Sequence, residues 1–495
     1  MFPDRVRGKM AAILSVDTDH PPVKTSIIYF DEPSQMWDPD YWHAWHRDIE
    51  DCTLNLKREE SDHVEIGAPP VEVDAGWLLV YSHINRYGKD DVLFGIEAVI
   101  LDRDDPTVIV DRTYSPIITP EAHNEKYGMV PNIVFPSGTL IEKGGSKGDT
   151  VQIFYGAADT TCNMATLTLE GLYARMERPK KQFVTMERCN EHPIIEPIKE
   201  HPWEARTTFN PAACYLDDKV HIVYRSQFAD GTSVFGYATS KDGYTIDERL
   251  DKPIYVPRAE FEQKKSGGNS GCEDPRITIM GKTLYMLYTA FDGRSEPRVA
   301  ITSIPVKAFL KREWDAWAMP VLISPPGFSD KDACLFPEKV NGKYLFFHRI
   351  AGEIDTAFTD TLDFDGTQWI DEYRWVRPRP EYWDNDKIGI AAPPVKTPKG
   401  WVLLYHGVSK QGSVYRVGAM LLDAKDPTYV LGRTQGPILE PEKEYEKVGE
   451  IPNVVFPCGC VVLNDTIYTY YGAADQVIQV AKMSLQDMYT ALNVV

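Results

Sequence analysis

Two adjacent carboxylates and an arginine surround a proline in Gly271-Cys272-Glu273-Asp274-Pro275-Arg276, just ahead of the run Ile277-Thr278-Ile279-Met280. An oxygen leaving group needs a proton, and a carboxyl in a pocket or beside another carboxylate can hold one. The proline fixes the backbone, and strand alternation predicts that Glu273 and Asp274 point apart. One carboxylate then faces a pocket while Arg276 holds the other. A surface turn with a local ion pair is the plain alternative for this hexapeptide. Polar and cationic residues recur in similar places elsewhere. Phe209-Asn210-Pro211 precedes a strand ending in Tyr224-Arg225. Lys331-Asp332 leads into one ending in His348-Arg349, and Trp383 to Lys387 into one ending in Tyr405-His406. Such residues at the ends of apolar strands are placed to line one pocket.

The elements that position them read as almost all β. Val220–Arg225, Thr283–Thr289, Lys343–His348, Trp401–His406 and Thr466–Tyr471 are aromatic or β-branched runs, each leaving a Gly, Asn or Asp turn. Units of this kind recur about every 40–60 residues, the length of a four-stranded propeller blade. A β-sandwich fits that spacing less well. Leu485 to Leu492 is the best helical stretch.

The chain also repeats itself. Gly76-Trp77-Leu78-Leu79-Val80-Tyr81 recurs as Gly400-Trp401-Val402-Leu403-Leu404-Tyr405. Pro131–Pro136 recurs as Pro452–Pro457, and Tyr155–Asp159 as Tyr471–Asp475. Met1–Val6 aligns with Leu335–Val340, so residues from about Cys189 to Lys331 have no partner upstream. The expected organisation is a partial copy of about three blades over 1–180 and a complete five-bladed β-propeller over 185–495. The charged stretch Arg175 to Arg188, with Arg178-Pro179-Lys180-Lys181, marks the boundary.

Composition bounds the partners. The 495 residues carry 53 Lys and Arg against 73 Asp and Glu, a net charge of −20. Such a surface disfavours nucleic acid and anionic membrane, but not a local pocket for a small anion. No apolar run is long enough to span a bilayer, and the N-terminus is a poor secretory signal. Eight sparse cysteines predict reduced thiols and a cytoplasmic location. No His, Asp and Glu cluster has metal-ligand spacing, so no metal is expected.

From Cys189 to the C-terminus the chain resembles glycoside hydrolase family 130, the inverting β-mannoside phosphorylases and related β-mannosidases. The resemblance rests on an ordered set of motifs. These are Asn210-Pro211, Tyr224-Arg225, Ser240–Gly243, Glu273–Arg276, Leu335–Lys339, His348-Arg349, Gly400–Gly407, Val454–Pro457 and Tyr470–Asp475. It implies a five-bladed propeller with a central active site, no cofactor, and inorganic phosphate as co-substrate. Asp274 is implied as the general acid, acting through the mannosyl 3-hydroxyl. Phosphate then attacks the anomeric carbon from the opposite face and gives α-mannose 1-phosphate, in place of the base-activated water of other inverting enzymes. Asn210, Arg225, Glu273, Phe456 and Asp475 are implied to hold the mannosyl unit. Lys331, Arg349, Lys387 and His406 are implied to hold phosphate. Many members carry Arg-Asn where this chain has Lys331-Asp332. Lysine keeps the charge but loses the bidentate fork, and Asp332 weakens phosphate binding if it faces the pocket. Two other readings stay open: a β-mannosidase using water, and a non-catalytic carbohydrate-binding propeller.

The short copy lacks counterparts of Asn210, Arg225 and Asp274. Leu14-Ser15 stand where His348-Arg349 stand, His63 aligns with Lys387, and Ser82 with His406. Phe135 and Asp159 match Phe456 and Asp475. The short copy is therefore expected not to be an active site. Three blades do not close a ring, so it is expected to pack on the second domain or on another chain.

Overall fold

The computed structural model describes residues 1–16, 23–57, 62–85, 92–113, 116–176, 184–265, 267–371, 373–379, 382–410 and 412–492. The charged run Arg178-Pro179-Lys180-Lys181 lies outside them. The chain divides into two compact units, Met1–Gln182 and Phe183–Val495. Both are built almost entirely of antiparallel strands, and the fold is all-β. Among the described residues no helix is long and apolar enough to cross a membrane.

In the second unit tight turns set the strand pairing. Asp217 and Asp218 both take positive φ, 48° and 56°, and Leu216 pairs with Lys219 across them. Asn464 and Asp465, at 48° and 58°, do the same between Leu463 and Thr466. Two left-handed residues match the right-handed twist of the flanking strands, and Asn and Asp tolerate them best.

These hairpins build five groups of strands. The first is Thr207–Leu216, Lys219–Gln227 and Thr232–Ser240, with Glu248–Arg249 at its edge. The second is Ser270–Met280, Thr283–Phe291, Arg298–Pro305 and Val321–Leu322. The two meet in one short parallel pairing at Thr232↔Ser270 and Ser233↔Gly271. The third runs from Asp330–Leu335 through Tyr344–Ile350 and Glu353–Thr359 to Tyr373–Val376. The fourth is Lys387–Ile390, Gly400–Val408, Tyr415–Leu422 and Val430–Arg433. The fifth is Val455–Leu463, Thr466–Ala473 and Val477–Ser484. Its outer strand, Glu187–Arg188, comes from the other end of the unit.

Apolar side chains fill the spaces between groups. Val223 and Phe235 pack with Met286 and Tyr288, Leu287 and Val299 with Leu335 and Phe346, and Leu345 and Phe347 with Leu403 and Tyr405. Val402 and Leu404 pack with Ile467 and Tyr471, and Ile222 and Tyr224 with Tyr470 and Ile478. Arg188 ties the entering strand down: Nε and Nη2 donate to the two carboxylate oxygens of buried Glu446 at 2.8 Å each.

Among the described residues the first unit holds three sheets. They begin at Met10–Val16, His63–Ile66 and Val134–Glu142. A helix missed by periodicity, Pro39–Arg47, covers the first. Its start was written in the sequence: Asp38 accepts from the Asp40 amide, and Pro39 needs no donor at the first helical position. Trp42 and Trp45 pack there with Ala12, Ile28 and Phe30.

Candidate active site

Four of the five groups break register in the same way. Their first strands bulge between Phe209 and Ala212, Glu273 and Arg276, Lys331 and Cys334, and Pro457 and Gly459. Within three of these bulges sit Asn210, Asp274 and Asp332, with φ of 46°, 53° and 52°. A bulge re-aims a side chain out of strand alternation, and Asn or Asp enters the left-handed region at least cost. Proline follows in two of the three, where no ladder hydrogen bond is lost. The same device thus delivers three polar side chains from three successive groups.

Arg225, on Lys219–Gln227, organises the acidic half of the site. Its Nη1 donates to Asp274 Oδ1 at 2.9 Å and its Nη2 to Glu273 Oε1 at 2.7 Å. Its Nε donates to Ser233 Oγ at 3.0 Å, and its guanidinium lies 4.6 Å over the Phe209 ring. Glu273 and Asp274 therefore do not point apart, as alternation predicts. Positive φ at Asp274 turns both carboxylates to one guanidinium. Nor does Arg276 hold either side chain. It donates to the backbone carbonyls of Asp274, Ile390 and Ala391 at 3.0, 2.6 and 3.2 Å.

Asn210 Nδ2 also donates to Asp274 Oδ1, at 2.9 Å, while its own Oδ1 is buried with no partner among the described residues. Burial alone would raise the Asp274 carboxyl. The Arg225 charge and the Asn210 hydrogen bond outweigh it and hold Asp274 below its ordinary value. Asp475, also left-handed at 52°, behaves oppositely. Burial, then the charges of Asp274 and Glu273 against the pull of Arg225, push it up to about 7.

A second cluster lies alongside. Asp332 Oδ2 is 3.1 Å from Arg349 Nη1 and 3.5 Å from His406 Nε2, and Asp332 Oδ1 is 3.3 Å from Arg276 Nη2. Arg349 Nη1 donates to His406 Nε2 at 3.4 Å. Asp332 is 2% exposed and His406 is fully buried. A Cβ added at Gly389 would lie 2.5 Å from both Asp332 Oδ2 and His406 Cε1, so glycine is required there. Burial is the main force favouring neutral His406; Asp332 pulls it up, Arg349, Arg276 and Lys387 pull it down, and together they leave it at about 3. Burial would raise Asp332 too, but Arg349, Arg276, His406 and Lys331 bring it to about 2. The Phe456 ring lies 4.5 Å from the His406 ring, tilted by 35°, and Lys387 Nζ lies 5.0 Å over Tyr415.

The geometry brings Asn210, Arg225, Glu273 and Asp274 into direct contact, and joins Arg349 and His406 in another group with Phe456 against it. Lys331 and Lys387 act on that group through their charges. Asp475 and Asp274 interact through theirs. One contributor was not singled out in the sequence: Ser233, which orients Arg225. Arg276 was expected to pair one carboxylate, and instead spans the two clusters. A further knot, Asp384 Oδ2 receiving Arg379 at 2.9 Å, Tyr405 Oη at 2.8 Å and Arg433 at 2.8 Å, anchors the strand carrying His406. Among the described residues no group of three or more His, Cys, Asp or Glu could hold a metal ion.

The sequence profile of glycoside hydrolase family 130, described as beta-1,4-mannooligosaccharide phosphorylase, matches residues 44–178 and again 175–493. A 1,2-beta-oligomannan phosphorylase of Thermoanaerobacter sp. (strain X514) is 40% identical over 312 residues, 62% of this chain and 99% of that protein. A beta-1,4-mannooligosaccharide phosphorylase of Ruminococcus albus is 38% identical over 256 residues, 50% of this chain and 73% of that protein. Among solved structures, the beta-1,2-mannobiose phosphorylase of Listeria innocua, in complex with beta-1,2-mannobiose, superposes with a TM-score of 0.53 at 26% identity. It covers 63% of this chain and 99% of its own. With two stretches matched, which together span most of its length, the chain belongs to glycoside hydrolase family 130.

Proposed function

We propose that the second unit catalyses inverting phosphorolysis of β-mannosides, yielding α-mannose 1-phosphate and a shortened acceptor. One observation carries the reading. Arg276 links an acid site to an anion site, donating to the Asp274 carbonyl at 3.0 Å while lying 3.3 Å from Asp332 in the Arg349–His406 cluster. Asp274 acts as general acid in its protonated form, which sugar binding must favour because Arg225 and Asn210 hold the carboxyl low in the free site: its proton passes through the mannosyl 3-hydroxyl to the glycosidic oxygen as the C1–O bond breaks. A phosphate oxygen forms the new bond to C1 from the opposite face. Asn210, Arg225, Glu273 and Asp475 hold sugar hydroxyls, with Phe456 as an apolar wall. Lys331, Arg349, Lys387 and His406 hold phosphate, His406 as a neutral donor or acceptor. No cofactor takes part.

The five strand groups close into a five-bladed propeller around this site. Shared apolar cores between each neighbouring pair, including fifth and first, support that closure. The first unit is a non-catalytic partial copy. All eight cysteines are free thiols, which supports a reducing, cytoplasmic setting.

Hydrolysis is the second reading, favoured by one observation, the carboxylate of Asp332 among the cations. One assay separates them. The chain is incubated with β-1,2- and β-1,4-manno-oligosaccharides with and without phosphate. Mannose 1-phosphate formed only with phosphate is the expected result. Free mannose released without phosphate would refute phosphorolysis. No turnover of any mannoside would leave a binding propeller.

A further inference from the structure

Asp332 is hard to place in a site built only to attract anions. It is ionised, buried, and aimed between Arg349 and His406. Its Oδ1 faces Arg276, whose guanidinium is otherwise committed to three carbonyls. Its Oδ2 lies 3.1 Å from Arg349, yet accepts no hydrogen bond of good geometry among the described residues. His406 Nδ1, on the same ring, is likewise buried without a partner. A carboxylate oxygen with charge neighbours but no well-aligned donor has room for one more hydrogen bond. A ligand donor is the natural partner.

An ionised carboxylate can only accept. Among tetrahedral oxyanions near neutral pH, phosphate and arsenate keep at least one hydroxyl, whereas sulfate has none. A protonated oxyanion can offer its O–H to Asp332 and its bare oxygens to Arg349, Lys387 and Lys331. A fully deprotonated one must set an oxygen lone pair against the Asp332 carboxylate, a like-charge contact in a dry site.

We infer that Asp332 is a specificity-determining residue of the anion subsite, accepting a hydrogen bond from the hydroxyl of a protonated tetrahedral oxyanion and excluding sulfate. The inference rests on the reading of the Arg349–His406 cluster as the phosphate subsite, but not on turnover. It changes what the Lys331-Asp332 pair means. The negative charge does not simply weaken the site; it trades general anion affinity for discrimination.

The test is calorimetric titration of the full chain with phosphate, arsenate and sulfate at pH 7.5, repeated with Asp332→Asn. Asparagine suits the left-handed backbone at φ 52° and supplies a donor in place of a pure acceptor. Wild type should bind phosphate and arsenate at least tenfold more tightly than sulfate. In Asp332→Asn that ratio should shrink at least tenfold, chiefly through tighter sulfate. If the variant does not fold, wild type can still overturn the inference by binding sulfate as tightly as phosphate, and Asp332→Ser repeats the comparison. Equal binding of sulfate and phosphate by wild type, no anion binding at all, or a ratio that survives Asp332→Asn would overturn the inference. Selective phosphate binding by a protein that releases only free mannose would sink phosphorolysis and leave this inference standing. Mannose 1-phosphate formation with sulfate competing equally would do the reverse.

Discussion

Replacing Asp475 by asparagine should stabilise the protein, and increasingly so as pH rises. Three carboxylates, Glu273, Asp274 and Asp475, act on one another around a single guanidinium. Arg225 gives both its Nη groups to Glu273 and Asp274, and among the described residues Asp475 forms no ion pair. Burial first, and the Asp274 and Glu273 charges after it, therefore raise its carboxyl from the ordinary 3.8 to about 7. The folded state then holds a proton that the unfolded chain releases between those two values. Stability is lost as pH climbs through that window and levels off above it. A rise of this size corresponds to about 4 kcal/mol at pH 8, and about 1 kcal/mol at pH 4.5. Asparagine is nearly isosteric, carries no charge and tolerates φ of 52°, so it should recover most of that difference. Urea unfolding of wild type and Asp475→Asn at both pH values measures it, while turnover should fall because the sugar loses an anchor. A stability gap equal at the two pH values, or a variant less stable at pH 8, would show that Asp475 is not strained by its neighbours.

Two further outcomes follow from the same contacts. Asp274→Asn keeps the left-handed backbone and leaves Glu273 to pair Arg225. Turnover should drop about 10²–10⁴-fold, the usual worth of a general acid, with oligosaccharide affinity little changed in calorimetry; undiminished turnover would remove Asp274 from the acid role. Arg188→Ala should cost about 3–5 kcal/mol in equilibrium unfolding, because it strands buried Glu446 without its cation. A loss under about 1 kcal/mol would mean that the entering strand is held by its other contacts.

What the sequence made legible is what local chemistry decides. Asp217-Asp218 and Asn464-Asp465 sit between aromatic, β-branched runs, and the hairpins form there, with Leu216 opposite Lys219 and Leu463 opposite Thr466. Leu485 to Leu492 showed helical spacing, and Leu485–Ala491 is a helix. The positions of the two polar clusters stood out because polar side chains interrupt apolar strands. Their directions did not. Strand alternation separates Glu273 from Asp274 on paper, but one residue at positive φ cancels that rule, and nothing local announces it beyond the Asp-Pro pair. Arg276 beside Asp274 invited a local ion pair. Its actual partners, the carbonyls of Ile390 and Ala391, lie more than a hundred residues away and are set by how the groups pack. The pairing of Glu187–Arg188 with Lys482 and Ala481 was hidden for the same reason.

The two copies within the chain separate what the fold needs from what the chemistry needs. In the second unit Glu446 accepts from the amides of Glu442 and Lys443 at 2.7 and 2.8 Å and from Tyr471 Oη at 2.7 Å. In the first, Glu125 accepts from the amides of Glu121 and Ala122 at 2.8 and 2.7 Å and from Tyr155 Oη at 2.8 Å. The amide and tyrosine donors to this buried carboxylate are kept in both units, because removing them would strand a buried charge. Chemistry-bearing positions obey no such rule. Asp159, the match of Asp475, is exposed, with no counterpart of Arg225 to face. His63, in the place of Lys387, lies 2.8 Å from Glu65 Oε1, and His83, next to the match of His406, lies 3.0 Å from Asp62 Oδ2. Carboxylates thus stand beside histidines where the second unit gathers cations around Arg349. Asp475 is a half-buried carboxyl among other carboxylates, whereas the matching Asp159 keeps the same side chain in contact with solvent. The first unit keeps these sheet-building contacts.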